Sequence, residues 1–215
     1  MNTQSPPERC RLVLIAMPGT DAGRLQAALE GGDVASVIFV QGTLDDSAFQ
    51  RVAADLVPVA QTAGAAAVIA GDSRVADRVK ADGVHVEAAP AELADTIERL
   101  QERMMVGTGG VKTRDAALEL GEAGPDYMFF GRFGYDNDPV PHPRNLGLGA
   151  WWAEMVEIPC IVMGGSEIAS VTEVAATGAE FVALSAAIFA EGADPRAAVA
   201  EINALLDANA PRFGE

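Results

Sequence analysis

Eight short apolar runs, each followed by a stretch with helical spacing, constrain this chain more than any other feature. The runs are Leu12–Met17, Ala35–Val40, Ala66–Ala70, Gly83–Val86, Met104–Gly107, Tyr127–Gly131, Pro159–Gly164 and Phe181–Ser185. Helices are expected to open near Asp21, Asp45, Ser73, Pro90, Lys112, Gly147, Glu167 and Asp194. Spread over 215 residues, eight units take roughly 27 residues each, the usual size of a βα repeat. Continuous apolar strands are buried on both faces, as in a parallel sheet covered by helices. The pattern predicts an α/β protein with a single (β/α)8 barrel over residues 11–208. An open doubly wound sheet is the other arrangement that periodicity allows. Residues 1–10 read as a loose extension and 209–215 as a frayed tail. Gly64, Gly124 and Gly178 stand where glycines end helices just before a strand.

Charge and composition narrow the function classes. Arg and Lys total 15 against 31 Asp and Glu, for a net charge of −16. Such a surface repels phosphate backbones and anionic lipid, so neither nucleic acid nor a membrane surface is an expected partner. No apolar run is long enough to span a bilayer, and the N-terminus shows no secretory pattern. A cytoplasmic protein is expected. Cys10 and Cys160 are too few for a disulfide framework, and Cys160 reads as a core strand residue.

In a barrel the chemistry collects at the C-terminal ends of the strands. Two loops there stand out. Gly164-Gly165 follows the seventh run, and Ser185-Ala186 follows the eighth. Barrels commonly hold phosphate at these two loops, where glycine admits an anion close to backbone N–H groups. The same residues also suit a tight strand-to-helix turn. Gly109-Gly110 is a weaker version of the signal. Asp72, between a strand and a helix, suits either a cation ligand or an N-cap. His85 lies within a strand and reads as a packed, hydrogen-bonded histidine or an acid–base group. The longest connection, Arg132–Leu146, carries His142 with Arg132, Arg144, Asp136 and Asp138. It reads as a lid with His142 as acid–base group, a surface excursion, or a homo-oligomer contact. At consecutive positions Trp151 and Trp152 cannot share a helix face.

Taken together, these loops resemble thiamine phosphate synthase and its TenI-type relatives over about residues 11–208. The likeness is carried by Ala67–Val86, by Gly124-Pro125-Asp126-Tyr127-Met128-Phe129-Phe130-Gly131, and by Ile158–Phe189. The resemblance implies a barrel that joins an aminopyrimidine diphosphate to a thiazole phosphate, releasing diphosphate with Mg²⁺. It implies a thiazole-phosphate grip at Gly164, Gly165, Ser185 and Ala186, magnesium at Asp72, and a strand histidine at His85. Several positions depart from that pattern. The Gln-Leu-Arg-x-Lys run of the family falls on Ile38-Phe39-Val40-Gln41-Gly42, which lacks both cations. The Asn before the magnesium Asp is Gly71, the second magnesium Asp falls near Pro90, and the serine after the fifth strand falls on Gly109. The Thr-Pro-Thr-Lys loop is Asp136-Asn137-Asp138-Pro139, acidic where a lysine is expected. The histidine of the tautomerases falls near Val111. A leaving diphosphate needs fixed cations, and losing one such group commonly costs about 2.7–4 kcal/mol of transition-state stabilisation. A synthase with weak or altered turnover is therefore expected. The alternative is a re-purposed or non-catalytic barrel that binds another small phosphorylated metabolite or a protein partner. Arg132, Arg144 and His142 are the residues from which a new anion site would be built.

Overall fold

The computed structural model describes residues 8–213. Eight parallel strands close into a barrel in sequence order. They are β1 (Arg11–Ala16), β2 (Ser36–Val40), β3 (Ala66–Ala70), β4 (Gly83–Val86), β5 (Met105–Thr108), β6 (Tyr127–Phe130), β7 (Cys160–Met163) and β8 (Phe181–Leu184). Pairing of β1 with β8, Leu12 opposite Val182, completes the circle. This excludes the open sheet.

Around the barrel run α1 (Ala22–Leu29), α2 (Asp46–Thr62), α3 (Ser73–Val79), α4 (Pro90–Leu100), α5 (Arg114–Gly121), α6 (Pro143–Met155) and α7 (Ser170–Ala175). A one-turn helix, α8 (Ala186–Phe189), precedes α9 (Pro195–Asn209). Side-chain oxygens of Asp21, Asp45, Asp72, Thr113 and Asp194 cap five of these helices by accepting from early backbone N–H groups. The opening of α6 is a correction to the expected start near Gly147. His142 takes the cap and Pro143 the first helical position, where a missing N–H costs nothing. The turn α8 has no apolar period long enough to announce it.

Strand alternation separates two cores. Leu12, Leu14, Val37, Ile69, Val84, Phe130, Val162 and Leu184 point outward beneath the helices. Val13, Ile15, Ile38, Val68, Phe129, Ile161 and Met163 fill the barrel. Trp152 joins the outer core against Phe130 and donates from Nε1 to Ile158 O at 2.7 Å, while Trp151 lies under the Arg114 guanidinium. Carboxylates stitch the N-terminal rim of the barrel. Asp82, Asp126 and Glu180 stand just before β4, β6 and β8. Each accepts from a backbone N–H on the preceding strand: Ala67 at 2.7 Å, Val106 at 2.6 Å and Cys160 at 2.9 Å. Part of the acidic excess is thus structural.

The chain ends correct the expectation of loose extensions wherever they are described. Residues 1–7 and 214–215 lie outside the described residues. Arg9, placed by the sequence in the extension, is 2% exposed. Its guanidinium reaches Asp207 at 2.7 Å, Cys10 O at 2.8 Å and Asn203 Oδ1 at 3.0 Å. Backbone pairing of Arg9 with Arg212, and of Phe213 N–H with Glu8 O, ties the ends together.

Candidate functional site

At the C-terminal ends of the strands lies a cavity of about 570 Å³, walled by the loops after β4, β5, β6 and β7. Five of the sequence-predicted residues meet there: Arg132, Arg144, His142, Gly110 and Gly164. Lys112, Glu87, Tyr135 and Asp136 line it as well. Lys112, Arg132 and Arg144 form no ion pair among the described residues. Arg132 is held instead by stacking over Tyr135, 3.9 Å from the ring centre. His142 is on the wall as the cap of α6, its Nδ1 accepting from Arg144 N–H at 3.1 Å.

The two loops expected to grip phosphate are filled by the chain itself. Asp136, 4% exposed, places one carboxylate oxygen 2.6 Å from the N–H of Ala186 and 3.1 Å from that of Ser185. The Ser185 hydroxyl donates to Ile15 O at 2.8 Å. Asp138 O accepts from Ser166 N–H at 2.7 Å, and Pro139 O from Glu167 N–H at 3.3 Å. A Cβ on Gly165 would lie 2.3 Å from Pro139 O, so glycine is required there by the loop itself. The carboxylate occupies the position that loop geometry offers to an anion, and carries the same sign.

Beneath the cavity, within the barrel, the strand register sets His85 beside Gly107 and Gly107 beside Tyr127. Because Gly107 has no side chain, the neighbours on either side meet across it. His85 Nδ1 lies 3.0 Å from the Tyr127 hydroxyl, and the rings stack at 5.7 Å. The other ring nitrogen, Nε2, is buried without a hydrogen-bond partner among the described residues and lies 3.9 Å from Glu87 Oε1. Burial pushes the Tyr127 phenol well above its ordinary range. His85 holds the Glu87 carboxyl below the usual carboxylate range, and the Arg132 charge adds to this against partial burial. At 3.9 Å the pair is outside hydrogen-bond distance, so the attraction is a through-space electrostatic one.

A model of the thiamine monophosphate synthase family matches residues 12–188. A thiamine-phosphate synthase of Rhodospirillum centenum is 32% identical over 202 residues, covering 92% of this chain and 98% of its own. One of Hyphomonas neptunium is 31% identical over 219 residues, covering 96% and 98%. The chain belongs to the thiamine monophosphate synthase family. Among solved structures, a thiamine phosphate pyrophosphorylase from Pyrococcus furiosus has the same fold, with a TM-score of 0.76 over 92% of this chain and 96% of that one at 21% identity.

As a thiamine monophosphate synthase family member, the chain departs from the implied site at Asp72. Both Asp72 oxygens are engaged by the Arg74 side chain at 2.5–3.1 Å, and one also caps α3. These bonds hold its carboxyl below the ordinary range. No group of three or more His, Cys, Asp or Glu is arranged to hold a metal among the described residues. The donor set around Asp72 does not fit Mg²⁺. Gly109 lies under the cavity, where a Cβ would press on Phe129 O at 2.9 Å and approach His85 at 3.3 Å. Motif reasoning missed Lys112, Tyr127 and the seat of Asp136, and gave Glu87, just after the fourth apolar run, no role. Glu87 had one available signal: two residues beyond His85, it shares the inward face and emerges at the mouth.

No helix among the described residues is long and apolar enough to cross a membrane.

Proposed function

We propose that the protein acts in thiamine biosynthesis as an altered thiamine phosphate synthase, binding phosphorylated precursors in the mouth cavity. Lys112, Arg132 and Arg144 hold the diphosphate end, taking over from the cations that the family pattern puts after the second strand. The observation that carries this reading is that Lys112, Arg132 and Arg144, none of them in an ion pair among the described residues, line one cavity of a protein with net charge −16. Glu87, Asp136 and Asp138 line the same cavity, but none forms an ion pair with these cations among the described residues, so the cations are open to an entering phosphate. His142, fixed at the head of α6, is the acid–base candidate on the same wall.

A thiazole phosphate that took its family place at Gly164, Gly165, Ser185 and Ala186 has to displace the Asp136 carboxylate. Binding of the second substrate is thereby coupled to opening of the loop, and turnover is slow.

The test is direct. Purified protein supplied with aminopyrimidine diphosphate, thiazole phosphate and Mg²⁺ is expected to form thiamine phosphate well below the ordinary enzyme rate of ~1 s⁻¹. Inorganic pyrophosphate is expected to bind by calorimetry, and Arg132→Ala with Arg144→Ala to weaken it by about a hundredfold, as for two charge-assisted contacts. Pyrophosphate affinity indifferent to those substitutions removes the anion reading. A protein that responds to no phosphorylated ligand is then a partner-binding barrel.

A further inference from the structure

The geometry points to Glu87, oriented by His85 and Tyr127, as a specificity residue that takes the N–H donor end of the ligand whose phosphate end is held by Lys112, Arg132 and Arg144. This rests on the reading of the mouth cavity as the site of a phosphorylated ligand. Three observations lead to it.

The first fixes a tautomer. Tyr127 is buried, and its hydroxyl has His85 Nδ1 as its partner at 3.0 Å. A neutral buried phenol must donate its proton, and His85 Nδ1 is the acceptor available to it. The proton of the neutral imidazole is then on Nε2. That N–H lies 3.9 Å from Glu87 Oε1 and has no hydrogen-bond partner among the described residues. The opposite tautomer leaves the phenol proton orphaned and turns a nitrogen lone pair toward a carboxylate. A protonated Nε2 is also unable to ligate a cation, so the pair is not half of a metal site.

The second concerns what Glu87 touches. Its side chain is 48% exposed and faces the cavity. It makes no ion pair with Arg or Lys among the described residues. It is an ionised acceptor steadied from behind by a dipole, with lone pairs directed at whatever enters.

The third is the space in front of it. Gly110 has φ 78°, and a Cβ there would lie 3.1 Å from the Glu87 carboxylate. Gly110, read from sequence with Gly109 as a weak phosphate motif, instead keeps the cavity wall beside Glu87 free of a side chain. A flat ring fits such a wall. A ring with exocyclic or ring N–H groups satisfies the carboxylate; a ring presenting a carbonyl there is repelled.

Calorimetry with two probes separates the outcomes: a 4-amino-5-hydroxymethylpyrimidine phosphate and its 4-oxo counterpart. Wild-type protein is expected to prefer the amino form by about ten- to a hundredfold, the worth of one hydrogen bond to a charged group. Glu87→Gln, at a half-exposed position that does not bear on folding, is expected to erase most of that preference. Tyr127→Phe is expected to reduce the preference, with pyrophosphate affinity unchanged, because the tautomer is no longer fixed. Equal binding of both probes by the wild type, or full preference retained in Glu87→Gln, overturns the proposal. Should pyrophosphate binding prove independent of Arg132 and Arg144, the anion reading fails alone. Glu87 is then judged on the unphosphorylated amino and oxo pyrimidines, where the same preference is expected.

Discussion

A single absent side chain organises the floor of the site. An ideal Cβ on Gly107 would lie 2.0 Å from Tyr127 Cζ, deep inside the ring's van der Waals envelope. Glycine on β5 is what allows β4 and β6 to place His85 against Tyr127. Gly107→Ala is therefore expected to destabilise the protein by at least about 3 kcal/mol, the upper range for overpacking a rigid core. Chemical denaturation measures it. Combining it with Tyr127→Ala, which removes the clashing ring, should cost less than the sum of the two single changes. Strict additivity would mean that the ring moves aside freely, and the fixed His85 tautomer would lose its support. The two cysteines show a different residue-scale effect. Burial pushes the Cys10 thiol up to about 12 and raises Cys160 too, so both are packing residues rather than nucleophiles.

Among the connecting elements, the segment after β6 departs furthest from an ordinary βα loop. Asp136 docks on α8, and Asp138 and Pro139 dock on the turn after β7. Removing the carboxylate leaves two backbone N–H groups without their acceptor. Asp136→Ala should cost about 2 kcal/mol, the penalty for orphaned buried donors. It should also speed amide exchange at Ser185 and Ala186, while the β2 and β3 amides stay protected. Thiazole phosphate affinity should rise in the same variant, since the ligand no longer competes with an internal anion. Unchanged exchange at those amides would show that the loop is held by its carbonyl contacts alone. The sequence marked this connection as long and acidic, and marked Gly164-Gly165 and Ser185-Ala186 as anion-binding in character. It did not reveal that one was the occupant of the other, because a contact between residues 136 and 186 has no local signature.

For the whole molecule, closure of the barrel is reinforced where the chain begins and ends. The buried Arg9 guanidinium bridges α9 through Asp207 and Asn203, and Asn203 Nδ2 in turn donates to Asp33 O at 3.1 Å. Arg9→Ala leaves the buried acceptors Cys10 O and Asn203 Oδ1 without their donor and should cost about 2 kcal/mol, the penalty for orphaned buried polar groups. Arg9→Lys should recover only part of this, since an ammonium does not reproduce the planar fork that reaches three acceptors. A loss below about 1 kcal/mol, as for an exposed ion pair, would show that the ends are appended to the barrel rather than part of it. Melting curves in urea decide the matter.

Residue order alone determined the eight strands, their burial on both faces, most helix starts through Asp and Thr caps, and membership of a family with chemistry at the strand ends. Those are local or periodic properties: burial pattern, capping oxygens and turn glycines act within a few residues. The closure of β1 on β8, the burial of Arg9, the docking of Asp136 on α8, and the meeting of His85, Tyr127 and Glu87 were decided by the tertiary structure. Apart from the local step from His85 to Glu87, each joins positions that the sequence separates by tens to nearly two hundred residues. Glu87 shows the division most clearly. Strand alternation fixed the side it faces, but only the folded barrel brought Lys112, Arg132 and Arg144 around the same cavity, because charges on different loops become neighbours only when the strands that carry them are paired.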